Sequence, residues 1–175
     1  MLFLPYIVMI TAFTGGMHLA IDTTAGEKER RSLEPLMINP VPRWQIMMGK
    51  LLAVGIFGMA SLVLALLAFR ITLPYLPLAA LGVDLGLGVN AMVAIFLVVT
   101  PVALLAAALL TVLATYAKSF REAQSYMGLV LLIPMIPTFM FMSNPLKPAA
   151  SMMPIPLFSQ NLLIGELVRG ETIPL

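Results

Sequence analysis

Four apolar segments, separated by polar stretches, dominate the pattern of hydrophobic and polar positions along this chain. They cover residues 1–21, 51–69, 90–117 and 124–142. A helix needs about 20 apolar residues to cross the roughly 30 Å hydrocarbon core of a bilayer, and each segment has about that length or more. The pattern therefore predicts an all-α fold, a polytopic transmembrane helix bundle that forms a single domain over residues 1–175.

Composition supports this prediction. Of the 175 residues, 61% are hydrophobic and 10% are charged, whereas soluble domains carry about 25% charged residues. The net charge of +2 is typical of basic loops beside a membrane, so we expect lipid and no nucleic acid as a partner. The chain has no cysteine, which excludes disulfides and thiolate metal sites. It begins almost inside its first span, and we expect it to be a piece of a longer protein.

The polar segment between the first two spans, residues 22–50, holds half of the charged side chains. A charged group in hydrocarbon costs roughly 2.5–3.5 kcal/mol on insertion scales, so this segment lies in water. Thr24 and Glu27 have the spacing of a capping box, which predicts a short helix that starts at Thr24. Two pairs of opposite charge at helical i, i+4 spacing would support it: Glu27 with Arg31, and Arg30 with Glu34. The segment is either a solvated loop whose charge sets topology or a surface on which a partner docks.

Basic side chains divide unevenly between the two sides of the predicted bundle. One side holds Lys28, Arg30, Arg31, Arg43, Lys50, Lys118 and Arg121, and the other holds Arg70, Lys147 and Arg169. Because basic residues favour cytoplasmic loops, residues 22–50 and 118–123 are predicted to be cytoplasmic. Residues 143–175 then face outward, as a proline-rich loop and an interfacial or re-entrant helix. The apolar face of that helix is predicted to hold Phe158, Leu162, Leu163 and Leu167.

Small residues and prolines predict how the spans pack. A ridge at i, i+4 spacing in the third span is formed by Ala103, Ala107, Thr111 and Thr115. Small residues in the second span are Gly55, Gly58, Ser61 and Ala65. Both sets favour close contact between helices. Pro134 and Pro137 interrupt the fourth span, so its outer half is expected to be bent or unwound.

A few polar residues near the spans are candidates for an ion path. His18 and Asp22 lie four apart on one helical face, as either a proton or cation site or an interfacial pair that helps the helix leave the membrane. Asn90, Thr111 and Thr115 offer oxygen ligands, but nothing in their spacing singles them out. The sequence contains no phosphate-binding loop, Gly-x-Ser-x-Gly or His-Glu-x-x-His motif, so it predicts neither a nucleotide site nor a catalytic centre of these types.

Short runs within and just after the polar segment carry a family resemblance. They are Gly26-Glu-Lys-Glu-Arg30, Leu33-Glu34-Pro-Leu36, Pro40 and Gly49-Lys50-Leu51-Leu52-Ala53. They resemble the permeases of ABC type-2 transporters, in which a Gly-Glu-x-Glu-Arg-Gly-Thr-Leu-Glu run follows the second span and a Gly-Lys pair opens the third. Arg31-Ser32 stands where Gly-Thr is commoner. Within this family, residues 22–36 most resemble the NatB-type branch, which is linked to sodium extrusion.

The resemblance implies a permease unit of six spans, of which this chain would hold the second to the fifth. A short cytoplasmic coupling helix within residues 27–36 would dock in a groove of a separate ABC ATPase subunit. That subunit would bind ATP and Mg²⁺, while this chain would bind no cofactor and no metal. The docking residues would be Glu27, Glu29, Arg30, Arg31 and Glu34.

The resemblance also implies how the complete transporter works. Two permease units, identical or different, would pair in the bacterial cytoplasmic membrane and export a small molecule or an ion, which branch similarity suggests is sodium. We therefore expect a transport subunit and not an enzyme. The alternatives are a membrane-embedded enzyme that uses His18 and Asp22, and a scaffold that transports nothing.

Overall fold

The computed structural model describes residues 3–32, 38, 40–75, 88–143 and 157–169. No strand occurs in these ranges. Their α-helices are α1 (Phe3–Thr14), α2 (Met17–Ile21), α3 (Glu27–Glu29), α4 (Arg43–Thr72), α5 (Val89–Tyr116), α6 (Phe120–Val130), α7 (Met135–Ser143) and α8 (Phe158–Arg169). A π-helix, Asp22–Gly26, joins α2 to α3, and a 3-10 turn, Leu73–Tyr75, extends α4. The all-α class predicted from the sequence is confirmed.

Four helical runs in the described residues are long and apolar enough to cross a membrane. They are Leu4–Glu29, Arg43–Tyr75, Val89–Tyr116 and Phe120–Met140. Their order matches the four predicted spans, but the first continues past residue 21 to Glu29 and the second begins at Arg43 rather than at residue 51. The first and second helical runs therefore each include part of the polar segment, residues 22–50.

Helix α5 lies at the centre of the bundle and contacts α1, α2, α4, α6 and α8. Ala103, Ala107 and Thr111 are buried, and Thr115 is half-buried. The prediction that these residues form a packing ridge is confirmed. Their small size lets the neighbouring helices approach α5 closely, which is how helices associate where lipid removes the hydrophobic driving force.

Glycines bring α1 and α2 against α4. A methyl group placed on Gly16 would lie 2.6 Å from the Val54 carbonyl oxygen, and one on Gly15 would lie 2.6 Å from Cβ of Ser61. On the opposite helix, a methyl group on Gly58 would lie 3.7 Å from a backbone carbonyl oxygen of α1. The predicted close contact through Gly58 and Ser61 is confirmed, and Gly15 and Gly16 are its tightest points.

The fourth span is interrupted at Pro134, as predicted, but Pro137 lies inside helix α7, so the outer half of the span is not unwound. The α-helix ends at Val130, and α7 begins at Met135. Between them, the N–H of Ile133 donates to the Val130 carbonyl oxygen at 3.0 Å, and the N–H of Met135 donates to the Leu132 carbonyl oxygen at 3.1 Å. These bonds join residues three apart, as in a 3-10 helix. Their donors lie on either side of Pro134, which has no N–H to donate to an α-helical bond.

Helix α8 packs against α1 and α5. Its most buried residues are Asn161, Ile164 and Val168, and the Asn161 amide donates to the Thr138 hydroxyl at 3.1 Å. The residues predicted for the apolar face of this helix, Phe158, Leu162, Leu163 and Leu167, are half-buried. Asn161 can occupy the inner face because Thr138 satisfies its amide.

Candidate functional site

The first span enters the charged segment without a break in its helix. The π-helix Asp22–Gly26 links α2 to α3, and the buried Thr24 hydroxyl donates to the Ala20 carbonyl oxygen one turn earlier. The helix start predicted at Thr24 is therefore wrong. The capping-box spacing is present, but the preceding helix does not end here, so the hydroxyl bonds to its own helix instead. Helix α3 is the end of the first span.

The helix ends at a residue with left-handed backbone conformation, Arg31, whose φ is 56°. The Arg31 N–H donates to the Lys28 carbonyl oxygen at 3.1 Å, and the Ser32 N–H donates to the Glu27 carbonyl oxygen at 3.0 Å. These two bonds form a Schellman motif, which usually has glycine at the left-handed position. The family run described above has glycine there as well. We call residues 27–32 the polar tip.

Within the polar tip, Glu27 forms an ion pair with Lys50 of α4. The Lys50 ammonium group contacts both the Glu27 carboxylate and the Thr23 carbonyl oxygen, and the side chains of Lys50 and Glu27 are 11% and 28% exposed. The predicted pair of Glu27 with Arg31 is wrong, because the helix ends before Arg31 and the i, i+4 spacing no longer brings the two side chains together. The Glu27–Lys50 pair ties the first span to the second.

A second ion pair lies on the outside of the polar tip. Arg30 Nη2 is 2.7 Å from Asp22 Oδ1, and the two side chains are 66% and 47% exposed. The ring of His18 packs against that of Phe120, with 5.9 Å between ring centroids. Asp22 and His18 therefore have different partners. Glu34, the partner predicted for Arg30, lies outside the described residues.

Lys28 and Glu29 reach the turn between α5 and α6. The Lys28 ammonium group donates to the carbonyl oxygens of Thr115 and, at 3.3 Å, Ala117, at the end of α5. The Glu29 carboxylate accepts from the Phe120 N–H, at the start of α6, at 2.7 Å. Two adjacent side chains of opposite charge thus meet the negative end of one helix dipole and the positive end of the next. The contact joins the two polar stretches that the sequence predicts on the same side of the membrane.

The start of α6 has an N-cap that the sequence-based interpretation missed. The Ser119 hydroxyl accepts from the Glu122 N–H at 3.2 Å. The Glu122 carboxylate in turn accepts from the Lys118 N–H at 2.7 Å and from the Tyr126 hydroxyl at 2.6 Å. The Ser-x-x-Glu spacing gives the same signal here as at Thr24. The spacing produces a cap at Ser119 because α5 ends at Tyr116 and a new helix starts at Phe120.

A groove of about 340 Å³ opens beside the polar tip. It is lined by Gly26, Glu29, Arg30, Phe120 and Arg121. Arg30 and Arg121 are exposed, so two guanidinium groups border the groove. Guanidinium groups bind carboxylates through paired hydrogen bonds. Arg30 already contacts the Asp22 carboxylate, and the Glu29 carboxylate also lines the groove.

Of the residues predicted to line an ion path, Thr111 and Thr115 are neighbours on α5, whereas Asn90 lies at the other end of that helix. The hydroxyls of Thr111 and Thr115 each donate to the carbonyl oxygen four residues earlier in α5, at 2.7 Å. Asn90 is exposed in the first turn of the same helix, at its other end. Within the part of the chain that the structure describes, no group of three or more His, Cys, Asp or Glu residues is arranged to hold a metal.

These features define a class of protein. Four long apolar helices, packed through small residues, make the chain a multi-pass α-helical membrane protein. Its first span continues as a helix into a charged tip, and that tip is bonded to each of the other three described spans.

Comparison with known proteins gives the family. The model of the ABC-2 family transporter proteins matches residues 1–164, and the chain belongs to that family. The ABC transporter permease protein NatB of Bacillus subtilis (strain 168) is 35% identical to it over 175 residues, which cover 98% of this chain and 45% of the relative. The chain thus spans less than half the length of that relative. No solved structure matches. The family predicted from the polar segment is confirmed.

Proposed function

We propose that this chain is the membrane-spanning permease part of an ATP-driven ABC exporter. A separate ATPase subunit binds ATP and Mg²⁺, and this chain binds neither. Family membership, similarity to a permease and four apolar helices support the proposal. We place the protein in the cytoplasmic membrane of a bacterium, with the polar tip on the cytoplasmic side, where basic residues are favoured.

The observation that carries the proposal is the helical run from Leu4 to Glu29. It joins the buried part of the first span to Arg30 and Arg31, which are both exposed. Packed helices move as rigid elements, so a load that the ATPase applies at the polar tip tilts the whole first span. The bond between Glu27 and Lys50 of α4 passes the same load to the second span.

We assign different roles to the five residues that the resemblance implies for docking. Arg30 and Arg31 are exposed and meet the ATPase. Arg30 also pairs with Asp22, but both side chains of that pair are largely exposed, so the guanidinium group stays accessible to a partner. Glu27 and Glu29 already have partners within the chain, so we give them internal roles. Glu34 lies outside the described residues and stays a docking candidate.

Replacing Arg30 and Arg31 together with alanine tests the docking role in the complete permease produced with its ATPase. We expect ATPase recruitment to weaken by about tenfold or more, because arginines are frequent hot spots and 1.4 kcal/mol corresponds to a factor of ten in affinity. Recruitment is measured by co-purification of the ATPase in detergent. ATP-dependent export in vesicles should fall in parallel.

Arg70→Ala is the matched control, since Arg70 ends the second span at the opposite side of the bundle. It should leave recruitment unchanged. If the double variant recruits the ATPase and exports as well as the unaltered protein, the docking role is excluded. If the unaltered protein recruits no ATPase, the proposed function itself is excluded.

We further propose that the exported species is an ion, sodium in the first instance, and that two permease units, identical or different, act as a pair. Exposed apolar side chains on α4 and α5, among them Ile56, Leu64 and Leu97, supply surface for lipid and for the second unit. Inverted vesicles that contain the complete transporter should accumulate sodium when ATP is added, with potassium as the control ion. ATP-driven movement of an organic solute without sodium would overturn the ion assignment.

A further inference from the structure

We propose that Lys28 and Glu29 form a two-point clamp that makes the third and fourth spans move with the polar tip. This inference rests on the proposed function for its role in transport, but the clamp itself rests on contacts within the chain. The Lys28 ammonium group holds the carbonyl oxygens of Thr115 and Ala117 at the end of α5. The Glu29 carboxylate holds the Phe120 N–H at the start of α6.

The chemistry of helix ends explains why these two residues fit this place. The last turn of a helix leaves carbonyl oxygens without partners in the helix, and the first turn leaves N–H groups without partners. A cation suits the carbonyl end and an anion suits the N–H end. Lys28 and Glu29 are adjacent and opposite in charge, and residues 117–119 set the two helix ends side by side. One side chain therefore reaches each end.

The position of the clamp gives it a mechanical role. Glu27, Lys28 and Glu29 occupy the single turn of α3, and they bond to α4, to the end of α5 and to the start of α6 respectively. The same turn is the end of the first span. All four described spans therefore meet at three consecutive residues, directly before the exposed Arg30. A displacement of the tip moves α5 and α6 as long as the clamp holds.

The double variant Lys28→Met, Glu29→Leu in the complete permease with its ATPase tests this role. Both new side chains keep apolar bulk but lack the charged donor and acceptor. We expect ATPase recruitment to be retained while export per ATP hydrolysed falls by about tenfold, within the range of typical coupling between sites. Lys28→Arg should keep full export, since a guanidinium group also donates to carbonyl oxygens. Lys118→Met is the matched control, because Lys118 is an exposed lysine of the same turn.

The distance between spin labels on the polar tip and on α6 tests the clamp independently of any transport assay. The chain has no cysteine, so Ser32→Cys and Ser125→Cys can carry spin labels on the tip and on α6. Both serines are exposed. The distance distribution between the labels should be narrow in the unaltered background and clearly broader in the double variant. Lys28→Gln is the milder substitute if the double variant fails to reach the membrane.

Two results would overturn the clamp. A double variant with unchanged label distances and unchanged export per ATP shows that the contacts do not hold the spans together. A variant that loses ATPase recruitment as well as export shows that Lys28 and Glu29 dock the partner instead. Absence of ATPase recruitment by the unaltered protein refutes the proposed function alone, because the label distances still decide whether the clamp exists.

Discussion

The charged end of the bundle and its glycine-packed middle hold the same helices together by different means. At the charged end, Glu27, Lys28 and Glu29 each bond to a different helix through a side-chain charge. In the middle, α1 and α2 meet α4 through Gly15 and Gly16, which lie against the Ser61 side chain and the Val54 backbone. The first kind of contact is directional and local, whereas the second depends on the shape of the backbone.

The difference follows from the surroundings of each region. In hydrocarbon, helices associate through van der Waals packing, which small residues improve. Near water, helix ends present carbonyl and N–H groups that need partners, and charged side chains can supply them. A substitution at the charged end therefore removes one bond and leaves the others in place. A substitution at the glycines instead disturbs the packing of two backbones.

The largest effect is expected from Lys50→Met, which removes one partner of the Glu27–Lys50 pair. Breaking a buried ion pair typically costs about 3–5 kcal/mol, because it leaves a charge without a partner. Glu27 keeps 28% exposure, so water can reach its carboxylate, and we expect about 3 kcal/mol, the low end of that range. The free energy of unfolding is measured by SDS titration in mixed micelles.

The exposed pair Arg30–Asp22 is the internal control for this prediction. Arg30→Met removes a cation from a pair whose side chains are 66% and 47% exposed, and exposed pairs contribute about 0–1 kcal/mol. If the two variants lower stability equally, burial does not distinguish the two ion pairs and the comparison between them fails.

Gly16→Ala should have the next largest effect, and it tests the glycine-packed middle. The added methyl group would lie 2.6 Å from the Val54 carbonyl oxygen, which is backbone and cannot turn aside as a side chain can. Overpacking of this kind costs about 1–3 kcal/mol, and we expect about 2 kcal/mol lower stability in the same SDS titration.

Gly128→Ala is the matched control, because Gly128 lies inside α6 and nothing stands within 4 Å of the position of its added methyl group. Alanine favours the helix there by about 0.8–1.0 kcal/mol, so this variant should be as stable as the unaltered protein or more so. A Gly16→Ala protein of unchanged stability would show that α2 and α4 are not in close contact.

The sequence was sufficient to predict the spans and the family, because both depend on signals that act locally. About 20 apolar residues predict a span wherever they occur, and the run Gly26 to Arg30 identifies the family without reference to the fold. The break at Pro134 was predicted for the same reason, since the missing N–H belongs to the residue itself.

The contacts of the polar tip could not be predicted, because they depend on residues far apart in the chain. Lys28 bonds to Ala117, which lies 89 residues away, and no spacing rule connects them. The capping-box pattern shows the limit of local signals most clearly. The pattern is present at Thr24 and at Ser119, but only Ser119 follows the end of a helix and forms the cap.

The smallest effect is expected from Arg31→Gly, which tests how the polar tip ends. Arg31 has a left-handed backbone, with φ of 56°, and a side chain in that conformation costs about 1–2 kcal/mol. Glycine avoids this cost but loses more backbone freedom on folding, which opposes the gain by roughly 0.5–1 kcal/mol. The first effect is the larger, so we expect a net stabilisation of about 0.5–1 kcal/mol in the SDS titration.

Arg31→Ala separates the backbone effect from the loss of the arginine side chain. Alanine has the same Cβ and meets the same left-handed cost, so its stability should equal that of the unaltered protein, while glycine alone should raise it. Equal stability of the alanine and glycine variants would mean that the Schellman turn does not form at Arg31. If Arg31→Gly is more stable but recruits the ATPase less well than Arg31→Ala, docking depends on the lower backbone freedom that a residue with a Cβ gives to the tip. If the two variants recruit the ATPase equally well, the backbone conformation at residue 31 does not affect docking. Any contribution of this position then comes from the arginine side chain alone.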